Sequence, residues 1–205
     1  MRHFVVPGDK VLDRQMRIEN AYIEAGKTHS AVMGFYDDER NSIIPLEGAW
    51  KPRTGDLVIG IVSSIGRNGS TYSIDLTEFI SGLVVAGKFS TLDFKEGDII
   101  EATIQEIEHK NLAILEHPKA LKMATMIKIK PVKVARVIGR AETMIKQISE
   151  YTGCSMVVGK NGLIWLDGGD VALATDAILK IEKEAHLSGL TERIKDMLEK
   201  NQKGE

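Results

Sequence analysis

Cysteine is nearly missing from this chain. The single thiol, Cys154, can close no internal disulfide and fits a reducing cytosol, and its setting reads as a small buried residue in a strand. No run of about 18 or more apolar residues occurs, so no membrane span is expected. The opening stretch, MRHFVVPGDKVLD, has neither a long apolar core nor a cleavage site, so secretion is not expected and the expected location is cytoplasmic. His3, His29, His109, His117 and His186 are scattered, and none stands at metal-ligand spacing from Cys154, so neither a metal nor another cofactor is expected. No Gly-x-x-x-x-Gly-Lys-Ser/Thr phosphate loop and no His-Glu-x-x-His zinc motif is present. Asp75 and Glu78 do not read as a catalytic carboxylate pair, because one caps a strand end and the other starts a turn. The acids of DDER (37–40) read as a hydrophilic hairpin turn. These absences argue against an enzyme.

What the chain does have is an uneven distribution of charge. Its 205 residues suffice for two or three small domains, and 43% hydrophobic with 27% charged residues is ordinary for globular protein. The net charge of −2 argues against a strongly nucleic-acid-like chain as a whole. Residues 1–116 carry 12 basic and 18 acidic side chains, residues 117–160 carry nine and two, and residues 161–205 carry six and nine. A basic block between two acidic ones is either a candidate phosphate-binding face or a solvated surface.

Gly-Asp turns punctuate the first half: PGD at 7–9, TGD at 54–56 and EGD at 97–99 each feed a β-branched run. Residues 1–52 read as a small β-hairpin module, with strands at 20–25, 29–36 and 42–46, too small for a large core of its own. Residues 53–117 read as a five-stranded barrel, with strands at 56–65, 70–76, 80–86, 98–107 and 110–116. Five short strands with a longer third connection (87–97) suit an OB-type Greek key. Over residues 118–205 the texture changes. A strand at 123–130 leads to a short helix in KVARVIG and a second in ETMIKQISEYTG, closed by Gly153. Strands at 154–159 and 162–168 follow, then a helix over 170–186 with Asp170 as N-cap, and a last helix over 190–200. The order β-α-α-β-β-α is that of a KH domain. The expected fold is multidomain, mainly β with an α+β C-terminal part.

The phrase GDLVIGIVSSIGRNGSTYSIDLTEFISGLVV (55–85) resembles the S-one class of RNA-binding OB barrels, which opens with a Gly-Asp-x-Val-x-Gly-x-Val strand. Such a barrel binds a single strand by stacking bases on one or two exposed aromatics beside basic groups. The resemblance points to Tyr72 in the second strand, Arg67 on the preceding turn and Lys88 after the third strand as RNA contacts. Two roles are open to Tyr72, a stacking platform or a packing residue. Phe79, Phe89 and Phe94 read as core or loop anchors. Where the class often carries a His after Gly-Leu-x, here Gly82-Leu83-Val84 is followed by Val85.

The stretch RVIGRAETMIKQISEYTG (136–153) resembles the nucleic-acid-gripping turn of a KH domain. There Gly-x-x-Gly lets phosphates approach a backbone free of Cβ atoms, while helix N–H groups and basic neighbours hold the anion. Here Gly139-Arg140-Ala141-Glu142 keeps the first glycine and puts a carboxylate at the second, which also makes sense as a first-turn helix acid. Arg136, Gly139, Arg140 and Lys146 are the candidate KH contacts, secondary to those of the barrel. The turn Gly159-Lys160-Asn161-Gly162 joins two strands, and Asn-Gly is the preferred pair for positive φ in a tight hairpin, so it reads as structural.

An S-one barrel, an altered Gly-x-x-Gly and a Gly-x-Asn-Gly turn, in that order, resemble one family over about residues 3–195: the S-one/KH RNA-binding cap subunits of the archaeal exosome. The resemblance implies a cap without an active site, three copies of which sit on a ring of RNase-PH-type subunits. Its N-terminal domain would dock on the ring and its barrels would surround the central pore. Single-stranded RNA would thread past them, 3′ end first, for 3′-to-5′ degradation. No membrane and no cofactor are implied. Bacterial polynucleotide phosphorylase carries the same two modules in the opposite order behind catalytic domains. Two other classes stay open on the residues alone: a free-standing RNA-binding translation or RNA-processing factor, and an assembly scaffold with negligible RNA affinity.

Overall fold

The computed structural model describes residues 2–87, 92–109, 111–187 and 189–202. Up to Pro45 the chain forms two three-stranded antiparallel sheets. One has the order β1-β5-β6 (Arg2–Val5, Gly34–Asp37, Ser42–Pro45), the other β2-β4-β3 (Lys10–Leu12, Lys27–Ser30, Ala21–Glu24). The single strand expected over 29–36 is therefore split between two sheets. The Ser30 hydroxyl donates to the Val32 carbonyl at 2.7 Å and the Ala31 N–H to Asn20, which redirects the chain. Val5, Tyr36 and Ile43 form a core of their own, with Val11, Leu12 and Ile18 packed on it. So small a core makes the module dependent on its neighbours.

The barrel is closed, in the order β10-β11-β9-β8-β7, by β7 (Leu57–Ile65), β8 (Thr71–Asp75), β9 (Ser81–Val85), β10 (Ile99–His109) and β11 (Leu112–Leu121), with β7 pairing back onto β10. Alternation places Val58, Val62, Ile74, Val84, Ile100 and Ile104 inside. Strand β11 runs on past Pro118 to Leu121. A bulge with His117 at φ 51 absorbs the proline and restores pairing with Ile99–Glu101.

The rest has the expected KH order: β12 (Thr125–Lys128), α1 (Val134–Ile138), α2 (Thr143–Thr152), β13 (Ser155–Val158), β14 (Leu163–Asp167) and α3 (Val171–Glu184). An added helix, α4 (Leu190–Gln202), packs on α2 and α3. The sheet order is β12-β14-β13. Gly153 (φ 70) closes α2 by donating its N–H to Ser149, and the Asp170 carboxylate accepts from the Leu173 N–H at 2.9 Å. Ile148, Ile164, Leu166, Ile178, Ile181, Ile194 and Leu198 fill the core between sheet and helices. Cys154 is part of it, its thiol donating to the Gly168 carbonyl at 2.9 Å. No helix among the described residues is long and apolar enough to cross a membrane.

Candidate nucleic-acid interface

Tyr72 does not offer its ring to solvent. It is 3% exposed, lies edge-on to Phe94 with centroids 5.4 Å apart, and donates its hydroxyl to the Leu92 carbonyl at 2.7 Å. The stacking platform expected there is corrected to a packing residue. Tyr72 shares the inward face of β8 with Ile74, and the third connection covers it. Arg67 is exposed, on a turn held by Gly66–Thr71 and Gly69–Gly66 backbone hydrogen bonds. Lys88 and Phe89 lie outside the described residues. Phe94 is core, as read. Phe79, also read as an anchor, is instead 77% exposed, on the β8–β9 turn at the opposite end of the barrel from Arg67.

The Gly-x-x-Gly-like turn is shaped by its own backbone. Gly139 takes φ 76, and a Cβ there would stand 2.7 Å from the Met144 nitrogen, so glycine is needed for the approach to α2. Ala141 (φ 49) and Glu142 (φ 61) carry the chain through the left-handed region. Glu142 thus stands at the N-cap of α2 and not in the first turn of that helix. Helix α2 begins after it, and its carboxylate lies 3.1 Å from the Lys146 ammonium. Arg140 is exposed beside them. Arg136 does not join this group. It is half-buried towards the N-terminal sheet, with Arg2, Arg40 and Asp37 as charged neighbours. The four KH candidates therefore fall in two places.

Four of the nine basic residues in the block, Lys119, Lys128, Lys130 and Lys146, pair with carboxylates. Lys119 meets Glu101 at 3.1 Å, Lys128 meets Glu78 at 3.6 Å and Lys130 meets Glu47 at 2.7 Å. The latter two bridges tie the KH domain to the barrel and to the N-terminal module. Lys133, 4% exposed, donates to the Pro45 carbonyl at 3.2 Å. Burial, then the nearby Lys130 and Arg136 charges, pull its ammonium below the ordinary lysine range. Lys122, Arg136, Arg140 and Lys160 have no carboxylate partner within ion-pair distance among the described residues.

The turn Gly159–Gly162 is plugged into the barrel. The Lys160 N–H donates to the Leu57 carbonyl at 2.8 Å. Asn161, 2% exposed, donates from Nδ2 to Ile59 at 2.7 Å and Leu76 at 2.8 Å, and its Oδ1 accepts from the Ile59 N–H at 3.4 Å. Gly162 sits at φ 90, where a Cβ would run into the Ile129 carbonyl. The Asn-Gly pair announces the hairpin. Its partners were beyond sequence reasoning, because the acceptors lie 102 and 85 positions away.

No family model matches the chain. Curated relatives do. The exosome complex component Rrp4 of Pyrobaculum aerophilum is 33% identical over 221 residues, covering 97% of this chain and 93% of the relative. That of Pyrococcus horikoshii is 34% identical, covering 96% and 82%, and that of Picrophilus torridus is 34% identical, covering 100% and 95%. A crystal structure described provisionally as an exosome complex RNA-binding protein superposes with a TM-score of 0.64 at 28% identity, over 76% of this chain and 98% of that one.

Proposed function

Because the chain belongs to the Rrp4 family of exosome complex components, we propose that it is a non-catalytic RNA-binding cap subunit that guides RNA 3′ ends into an RNase-PH-type ring for 3′-to-5′ degradation. One observation carries the reading: the relatives match nearly all of this chain, over units that polar contacts join side by side. A cap has to hold its barrel at a set angle to a pore, and the Asn161 junction does this for the barrel and the KH domain. The N-terminal module docks on the ring, and its exposed Tyr22, Ile23 and Met33 are apolar surface suited to that. Arg67, exposed on its turn, contacts RNA at the pore, and Lys88 is a further candidate contact. Three copies per ring turn weak single contacts into capture through effective concentration.

The test is to mix the full chain with RNase-PH-type ring subunits and weigh the complex by light scattering. Three chains per ring are expected, and tighter RNA binding by the complex than by the free chain. In the complex, Arg67→Ala should weaken RNA binding roughly threefold without changing assembly. A chain that stays monomeric beside the ring and binds RNA tightly alone is a free-standing RNA-binding factor, and the cap reading is then wrong.

A further inference from the structure

The geometry points to a second RNA contact outside the barrel: a phosphate of single-stranded RNA held by Arg40 and Arg136 in the seam between the N-terminal sheet and the KH domain, with an adjoining base stacked on Phe4. The inference rests on the chain's being an RNA-binding subunit, as proposed above.

Register makes the surface. Arg2 and Phe4 lie on one face of β1, opposite Asp37 and Phe35 of β5, while Val5, Tyr36 and Ile43 face the small core on the other side. The KH domain covers part of the first face. The His186 ring stacks on Phe35 with centroids 5.8 Å apart, and its carbonyl accepts from Arg2 Nη1 at 3.0 Å. Phe4 stands edge-on to Phe35 at 5.7 Å and remains 54% exposed.

Charge in the seam does not balance. The Asp37 carboxylate is already occupied: Oδ2 accepts from Arg2 Nε at 3.1 Å, and Oδ1 accepts from the N–H groups of Glu39 and Arg40 at 3.2 and 3.3 Å. Asp38 turns the other way, to His3 at 2.6 Å. The guanidinium groups of Arg40 and Arg136 have no hydrogen-bond or ion-pair partner among the described residues. Half-buried Arg136 has Arg2, Arg40 and Asp37 as its charged neighbours, two cations and one carboxylate that Arg2 already holds. A partly desolvated guanidinium among like charges calls for an anion, and its planar fork fits a phosphate. An exposed aromatic beside such a site is the chemistry that binds a single strand. A carboxylate from a protein partner would answer the charge but would give Phe4 no base to stack.

The experiment titrates the full chain with a labelled ~20-nucleotide adenine-rich RNA over a range of salt concentrations. The variant Arg40→Ala/Arg136→Gln should bind roughly fivefold more weakly, and the slope of log affinity against log salt should shrink by about 0.7, one phosphate's worth. Phe4→Leu should weaken binding about fivefold with the slope unchanged. Arg40→Ala alone, at an exposed position, should show part of the loss with unchanged melting, which separates the effect from misfolding. A double variant with wild-type affinity and slope overturns the proposal. So does one that binds RNA normally but no longer joins the ring, since the seam is then a protein-docking surface. Loss on Arg67→Ala with no loss in the seam variants leaves the cap reading standing and removes only the seam contact. Absence of RNA binding by the wild-type chain, free and on the ring, removes both.

Discussion

Gly139–Glu142 and Gly159–Gly162 are both short turns of the KH domain that open on glycine, yet they face different worlds. The first is exposed at the start of α2, and a carboxylate there pairs with Lys146 at the surface. The second is buried against β7 and places an amide that makes three hydrogen bonds with barrel backbone. Exposed ion pairs contribute little, whereas a satisfied buried polar group fixes one arrangement of its surroundings. The turn that looks like a ligand clamp is locally self-contained, and the turn that looks like an ordinary hairpin is the bolt between two domains. A turn's sequence specifies its backbone shape but not what is pressed against it.

The sharpest way to break this contrast is Asn161→Ala. It strands the Ile59 and Leu76 carbonyls and the Ile59 N–H without their side-chain partner in a buried interface. A loss of about 3 kcal/mol in urea unfolding is expected. Barrel and KH domain should then melt in separate steps, with Trp165 fluorescence in a Trp50→Phe background following the KH domain. A loss within ~0.5 kcal/mol would show that the turn bolts nothing.

Acid should separate this junction from the other one. Burial by itself would raise the Asp37 carboxyl, but the Arg2 guanidinium and the N–H groups of Arg40 and Glu39 hold it below the usual carboxylate range. A depressed carboxylate contributes its stability in full above the unfolded value of about 3.9 and loses it as pH falls through the folded value. Lys130 holds Glu47 low on the same seam, so that pair acts in the same direction. The Asn161 hydrogen bonds involve no carboxylate. The protection factors at β1 and β5 should therefore fall as pH drops below about 4, while those of β7 hold. Asp37→Asn should cost about 2 kcal/mol at neutral pH and flatten the acid response. If β1 and β7 lose protection together, the two junctions are one cooperative unit.

Much of this architecture is legible locally. The barrel strands alternate, the helices carry their caps at Asp170 and Gly153, and the β-α-α-β-β-α order follows from punctuation alone. The failures are tertiary. Apolar residues continue through Ala31, Val32 and Met33, so nothing local marks the change of sheet that splits the strand expected over 29–36. Tyr72 stands where an S-one barrel can present an aromatic, but its parity with Ile74, and Phe94 lying over it, put it inside. Arg136 is three residues before Gly139, which suggested a clamp. Its direction is set by an N-terminal sheet at the far end of the sequence. The basic block was visible as composition, but two of the carboxylates that pair with it, Glu78 and Glu47, come from other domains.

Glu142→Gly restores the second glycine and has the smallest expected effect. Glutamate at φ 61 sits in the left-handed region at a cost of about 1 kcal/mol, which glycine avoids. Glycine gives part of that back through a more flexible unfolded chain, and the exposed pair with Lys146 is lost. Stability should rise by about 0.5 kcal/mol, opposite in sign to Asn161→Ala. Lys146 is freed at the same time beside an open backbone, so RNA affinity of the full chain should rise roughly threefold. A rise of about 100-fold would mean that one side chain silences a working clamp, and the KH domain would then have to be read as a latent RNA-binding site. A fall in stability would mean that Glu142 holds its turn as Asn161 holds the other, and the difference between the two turns would reduce to burial alone.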